Sequence, residues 1–181
     1  MRVYLCTHPG SVTREDLFRA VAAPLVEHPM GWGGMTVVND PGEADSVVTL
    51  TPGKVMDQQF PEFAADKLSV CDMSSGEVWL REERWRGEVP NGSRLSLPAY
   101  RAYMVQHELG HARGLLHEAC SDPNQPAPVM CQQTRGIGAC TPHPFHHGAP
   151  PNVPSSITGT RQNAPSSHLG TTRNVPKISV Q

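Results

Sequence analysis

The run "HELGHARGLLH", His107 to His117, restricts this chain more than any other stretch. On a helix, residues four apart lie one above the other on the same face, so His107 and His111 can offer two imidazole nitrogens to one metal. Glu108 is offset around the helix and is better placed to touch a water on that metal than to bind the metal itself. Gly114 is the residue type that most easily turns left-handed and stops a helix sharply. Such a turn can bring His117 back toward the same point. Three neutral protein ligands leave a tetrahedral Zn²⁺ one position open, the arrangement of a catalytic rather than a structural zinc site. The residues therefore predict one catalytic Zn²⁺ held by His107, His111 and His117. Glu108 is then the general base and later the acid.

The rest of the chain reads as one domain. Arg2 to Cys6 is a short strand. "TREDLFRAVAAPLVEH" is an amphipathic helix with Leu17, Val21 and Leu25 on one stripe and Thr13 as its N-cap, and "GWGG" ends it. "MTVVND" and "DSVVTLT" are β-branched runs separated by the turn signal "PGEA". "GEVWLREERW" alternates, with Val78 and Leu80 on one face and Trp79 and Arg81 on the other, as a half-exposed edge strand does. "REERWRGE" reads first as a solvated strand face, and alternatively as the border of a cleft. A second main helix starts near Ser96 to Pro98 and runs to about Arg113. Irregular chain follows from Ser121. The order of elements predicts an α+β fold: a small mixed sheet, two main helices and an irregular C-terminal subdomain. The domain should span 1–147, and 148–181, rich in Pro, Ser and Thr, should be a disordered tail without a packed core.

Charge and composition exclude several classes. The formal net charge is −2, which points neither to nucleic acid nor to an anionic membrane surface. After Asp122 the chain has no acidic residue, so the body is acidic and the tail weakly basic. No run approaches the roughly 20 apolar residues of a membrane span, and the start lacks the apolar core of a signal peptide. A monomer is expected. None of the five cysteines forms a CxxC pair, which argues against a cysteine zinc cluster.

"HELGHARGLLH" matches the HExxHxxGxxH signature of the metzincin zinc metallopeptidases at every fixed position. That family also has a methionine turn beneath the zinc, and Met130 in "PAPVMCQQT" is similarly placed. The resemblance implies a zincin-like fold, an active-site helix carrying the HExxH residues, an endopeptidase acting on peptide or protein substrates, and Met130 as an apolar support rather than a ligand. A wider likeness joins Trp85 to Gly87, "YRAYMVQHELGH", "APVMCQQT" and Gly138 to Cys140. Over about Val70 to Cys140 the chain resembles an uncharacterised actinobacterial family of small metzincin-like domains, often held outside the cell behind a membrane anchor. That likeness implies an extracellular or cell-envelope location and a disulfide between Cys120 and Cys140. Glu118 is astacin-like, whereas "HELGH" and "GLLH" look more like matrixins. Gln132 stands where astacins and serralysins carry a tyrosine, so no tyrosine from this turn can assist an oxyanion.

Other residues have weaker assignments. Cys6, Cys71 and Cys131 have no assigned partner. His143, His146 and His147 are read as loosely binding histidines near a tail, with a second metal site as the alternative. His8, His28 and His168 are read as exposed, and Trp32, Trp79 and Trp85 as packing residues. Substrate is expected to pair in extended form with the strand Glu77 to Arg81. Two other functions fit the same residues. One is a non-catalytic, zinc-stabilised binding domain, in which a side chain such as Cys131 or His143 would fill the fourth metal position. The other is hydrolysis of a non-peptide amide.

Overall fold

The computed structural model describes residues 1–90 and 93–146, together with the backbone of 178–180. Among the described residues six strands form one mixed sheet: β1 (Arg2–Thr7), β2 (Thr36–Val38), β3 (Ser46–Thr51), β4 (Val70–Asp72), β5 (Glu77–Arg81) and β6 (Ile178–Val180). Their order across the sheet is β2-β1-β3-β5-β4-β6. The pairs β1–β2, β1–β3 and β3–β5 are parallel, and β4 runs antiparallel to both β5 and β6. Four α-helices of the described residues accompany the sheet: α1 (Glu15–Val26), α2 (Gly53–Gln59), α3 (Glu82–Arg86) and α4 (Leu97–Ala112). The fold is α+β, as the sequence predicts.

Alternation along the strands builds the main core. Val3 and Leu5, Val48 and Leu50, Cys71, and Val78 and Leu80 all join one buried cluster with Phe18, Ala22 and Val26 of α1 and Tyr100, Tyr103, Met104, Val105 and Leu109 of α4. Residues two apart on a strand share a face, so α1 and α4 cover one face of the sheet. A smaller cluster of Met56, Phe60 and Val70, with Trp79 against it, involves the alternate residues of β4 and β5.

Several expectations need correction. The buried stripe of α1 is Phe18, Ala22 and Val26, whereas Leu17 is 57% exposed and Val21 40%. Both sets have helical spacing, so periodicity alone does not choose between them. The face carrying the large Phe18 ring packs edge-on against Trp85, at 5.0 Å between centroids. Thr13 does not cap α1. The N-cap is Arg14, without a side-chain bond, and the Thr13 amide donates instead to Glu82 Oε1 at 2.7 Å. The strand Glu77–Arg81 is not an edge: it lies between β3 and β4. "REERWRGE" is not a solvated strand face either. Arg81 and Glu82 are buried, and Glu82–Arg86 turns into α3. His28 and His8 are half-buried rather than exposed.

Most of the expected tail (148–181), His147 and His168 fall outside the described residues. The exception is β6, which pairs with β4 and corrects the expectation of disorder for the end of that segment. Ile178 and Val180 are β-branched residues suited to a pleated surface. Among the described residues no helix is long and apolar enough to cross a membrane.

The α1 register yields a simple test. Phe18→Ala should cost about 3–5 kcal/mol by opening a core cavity, while Leu17→Ala should stay within roughly 0.5 kcal/mol. Urea unfolding of both variants measures this, and equal losses would contradict the register.

Candidate metal centre

Helix α4 begins where Ser96 adopts extended backbone and a proline sits in the first turn, and it ends at Arg113. Gly114 has φ +87°. Its amide donates to the His111 carbonyl at 2.8 Å, and the Leu115 amide donates to the Gly110 carbonyl at 3.0 Å. These two bonds are the Schellman arrangement, which satisfies carbonyls left over at the helix end and folds the chain back. The reversal brings His117 to the face that carries His107 and His111.

The three imidazoles converge. One ligand atom from each of His107, His111 and His117 lies within 4.8 Å of the others, and among the described residues no fourth His, Cys, Asp or Glu joins the group. His107 and His111 are fully buried, whereas His117 is exposed. His107 Nδ1 lies 2.7 Å from the Val129 carbonyl, and His111 Nδ1 lies 2.8 Å from the Leu115 carbonyl. A carbonyl only accepts, so each Nδ1 carries the proton of a neutral ring and each Nε2 is left with a lone pair. Burial, with neighbouring His111 adding to it, holds the His107 pKa well below the usual histidine range. Burial likewise pushes His111 down to about 4. Both rings are therefore neutral, the form that binds metals.

This protonation pattern provides a test of metal fit. The Nε2 atoms of His107 and His111 are 3.1 Å apart, as are those of His111 and His117. With both Nδ1 atoms protonated, His107 and His111 have no proton to share between their Nε2 atoms. Two lone pairs at this distance repel unless a cation lies between them. Tetrahedral zinc bonds of about 2.0–2.1 Å to nitrogen set ligand atoms roughly 3.3 Å apart, so the group accommodates such an ion with little adjustment.

Glu108 is fully buried, and neither carboxylate oxygen has a hydrogen-bond partner among the described residues. Burial raises its pKa well above the usual carboxyl range. Its carboxyl also acts on the Cys71 thiol, adding to the rise that burial itself causes. A buried carboxyl without partners is costly and calls for an explanation.

Support comes from the segment after His117. Cys120 and Cys140 form a disulfide with Cα atoms 6.1 Å apart. The loop so closed contains Val129 and Met130. Met130 is buried, and together with Trp32 it packs so tightly on α4 that a Cβ at Gly110 would collide with both side chains. The Glu118 amide donates to the Met130 carbonyl at 3.1 Å. Tyr103 donates its hydroxyl proton to the Cys131 carbonyl at 2.9 Å and accepts from the Gln133 amide at 2.8 Å. Trp32 Nε1 donates to the Gln106 carbonyl at 2.6 Å. An open depression of about 650 Å³ adjoins His117, lined by Glu118, Cys131, Gln132, Arg135 and Ile137.

Sequence reasoning named the three histidines, Glu108, Gly114, Met130 and the cysteine pair. It missed Gly110, the Val129 and Leu115 carbonyls, Tyr103 and the Trp32 contact. The carbonyls have no signature of their own, because every residue carries one. Gly110 was detectable as a helix-interior glycine, which needs a packing reason. His146 stacks on Trp32 at 4.6 Å, and His28 on Phe145 at 4.0 Å. The segment holding His143 and His146 thus packs back on the body, and among the described residues it forms no second metal group.

The chain belongs to the family described as "Protein of unknown function (DUF3152)", whose model matches residues 15–149. Neither the comparison with curated proteins nor that with solved structures finds a match.

Two substitutions probe the support. Gly110→Ala should cost about 1–3 kcal/mol by overpacking against Met130 and Trp32. Replacing Cys120 and Cys140 together by Ala should cost about 3 kcal/mol through the larger freedom of the unfolded chain. Thermal and denaturant unfolding read both, and an unchanged midpoint for Gly110→Ala would contradict the packing described.

Proposed function

We propose that this chain is a zinc-dependent endopeptidase of zincin-like, metzincin type, with a single Zn²⁺ on His107, His111 and His117. One observation carries the reading: three imidazole Nε2 atoms converge, two of them with tautomers fixed by backbone carbonyls, beside the helix that also bears a buried glutamate without a hydrogen-bond partner among the described residues. When bound, the ion supplies a Lewis acid that makes a water acidic and polarises a carbonyl.

The chain's own residues do the rest. His107 and His111 hold their rings fixed through Nδ1–H bonds and present neutral Nε2 atoms. Glu108 must be ionised to act: its carboxylate then receives a proton from the attacking water and passes it to the leaving amine nitrogen, and the burial that raises its pKa makes that carboxylate the stronger base. Its burial keeps bulk water from competing for that proton. Met130 supports α4 from below at Gly110, and Gly114 returns the chain so that His117 meets the other two. Peptide or protein is the substrate, bound in extended form. The Cys120–Cys140 bridge fits an oxidising compartment.

A second reading is a non-catalytic, zinc-stabilised binding domain. The observation favouring it is that Glu108 is wholly inaccessible, while the neighbouring depression touches the triad only at His117.

Two variants separate the readings. Glu108→Gln should keep zinc and stability but lose at least about 10²–10⁴ in rate. His107→Ala should lose metal affinity together with the folding energy coupled to it. Metal analysis and cleavage of a broad peptide library, with and without a chelator, measure both. Zinc bound with no cleavage by wild type supports the binding domain, and wild-type-like cleavage by Glu108→Gln would overturn the proposed base.

A further inference from the structure

Strand β4 packs on α4 and turns Cys71 into the same buried cluster as Val105 and Leu109. It thus lies, with β5, against the helix that bears His107 and His111, and the Glu108 carboxyl acts on its Cys71 thiol. One long side of β4 pairs with β5. The other pairs with β6, antiparallel, in the register Val70↔Val180, Cys71↔Ser179 and Asp72↔Ile178. The family match ends at residue 149, well before β6. Within the matched region β4 is therefore an edge strand, with a row of backbone donors and acceptors left over.

We propose that β6 is an intramolecular occupant of a peptide-docking edge: the chain's own Ile178–Val180 lies where an extended peptide segment pairs with β4 beside the His107–His111–His117 group. An exposed edge recognises an extended segment mainly through backbone bonds, so many sequences can fill it. β-branched residues flanking a small polar one, as in Ile178-Ser179-Val180, suit such pairing. A ladder of three residues is short, and the occupant is displaceable for that reason. A segment attached to the same chain needs no separate encounter, so it competes with free peptide through its effective concentration. The site is then partly closed by the chain itself, and an outside peptide gains access when β6 leaves.

The strand pairing stands by itself. The statement that the docked peptide is a substrate rests on the peptidase reading. The test therefore uses neither metal nor cleavage. In the full chain carrying Glu108→Gln, Ile178→Pro and Ser179→Pro are introduced together. Successive residues of a strand point their amides to opposite sides, so one of the two prolines must remove a donor facing β4. Amide exchange at Val70, Cys71 and Asp72 and affinity for the synthetic peptide Pro-Lys-Ile-Ser-Val-Gln are compared with the Glu108→Gln parent. The expected result is at least about tenfold faster exchange at one or more of these amides and several-fold tighter peptide binding. A chain ending at Lys177 provides the same two readings should the proline variant lose protection at Val48 and Leu50. Unchanged exchange would overturn β6 as the occupant. Faster exchange with unchanged peptide affinity would overturn the edge as a docking site. A protein that cleaves no peptide at all still gives both readings, so failure of the peptidase reading remains separate.

Discussion

Two backbone carbonyls decide what this site can be. Val129 and Leu115 each accept the Nδ1 proton of a buried histidine, and with that the tautomers of His107 and His111 are set. Their Nε2 lone pairs then face one another across 3.1 Å. Neutral imidazoles held in this way are strained without a cation between them and well arranged with one. The three imidazoles could hold a metal ion, and the cost of ordering two of them is met by the fold.

Much of the surrounding structure keeps those carbonyls in place. The Leu115 carbonyl depends on the left-handed turn at Gly114, which ends α4 and starts the return to His117. The Val129 carbonyl depends on a loop tied at its ends by Cys120 and Cys140 and fastened inside by the Tyr103 hydroxyl. Met130 and Trp32 wedge against the helix where glycine leaves room. The sheet behind α4 provides a rigid backing through Val78, Leu80 and Cys71. A site built on a helix and braced in this manner holds its geometry better than one carried on loops alone.

The sequence was most legible where spacing has one physical meaning. Histidines four apart on a helix, a glycine at its end and a third histidine beyond leave little choice, and α4 runs from Leu97 to Ala112 much as its signals predict. Legibility fell where two solutions share a pattern. In α1 both Leu17–Val21–Leu25 and Phe18–Ala22–Val26 are spaced for one face, and only tertiary packing against Trp85 selects the second. Glu77–Arg81 alternates like an edge strand, yet β4 lies beyond it, because a three-residue strand such as Val70–Asp72 leaves almost no periodic trace. The helices α2 and α3, seven and five residues long, are too short to show a helical period, and in α3 the burial of Glu82 beside Arg81 is something no local rule foresees.

The three histidines and their supports lie at very different ranges along the chain. His107, His111 and His117 come from one short run, while the carbonyl that orients His107 is 22 residues away and stays in place only if the loop around it closes correctly. A chain could therefore keep every letter of "HELGHARGLLH" and still present a rotated His107 ring, through changes confined to the segment between Cys120 and Cys140. The reverse also holds: Val129 orients His107 through its carbonyl alone, and another apolar side chain of similar size can fill its buried place in the core. In this protein the motif records which side chains could hold a metal, and a separate, almost silent stretch of sequence determines whether they point at one another.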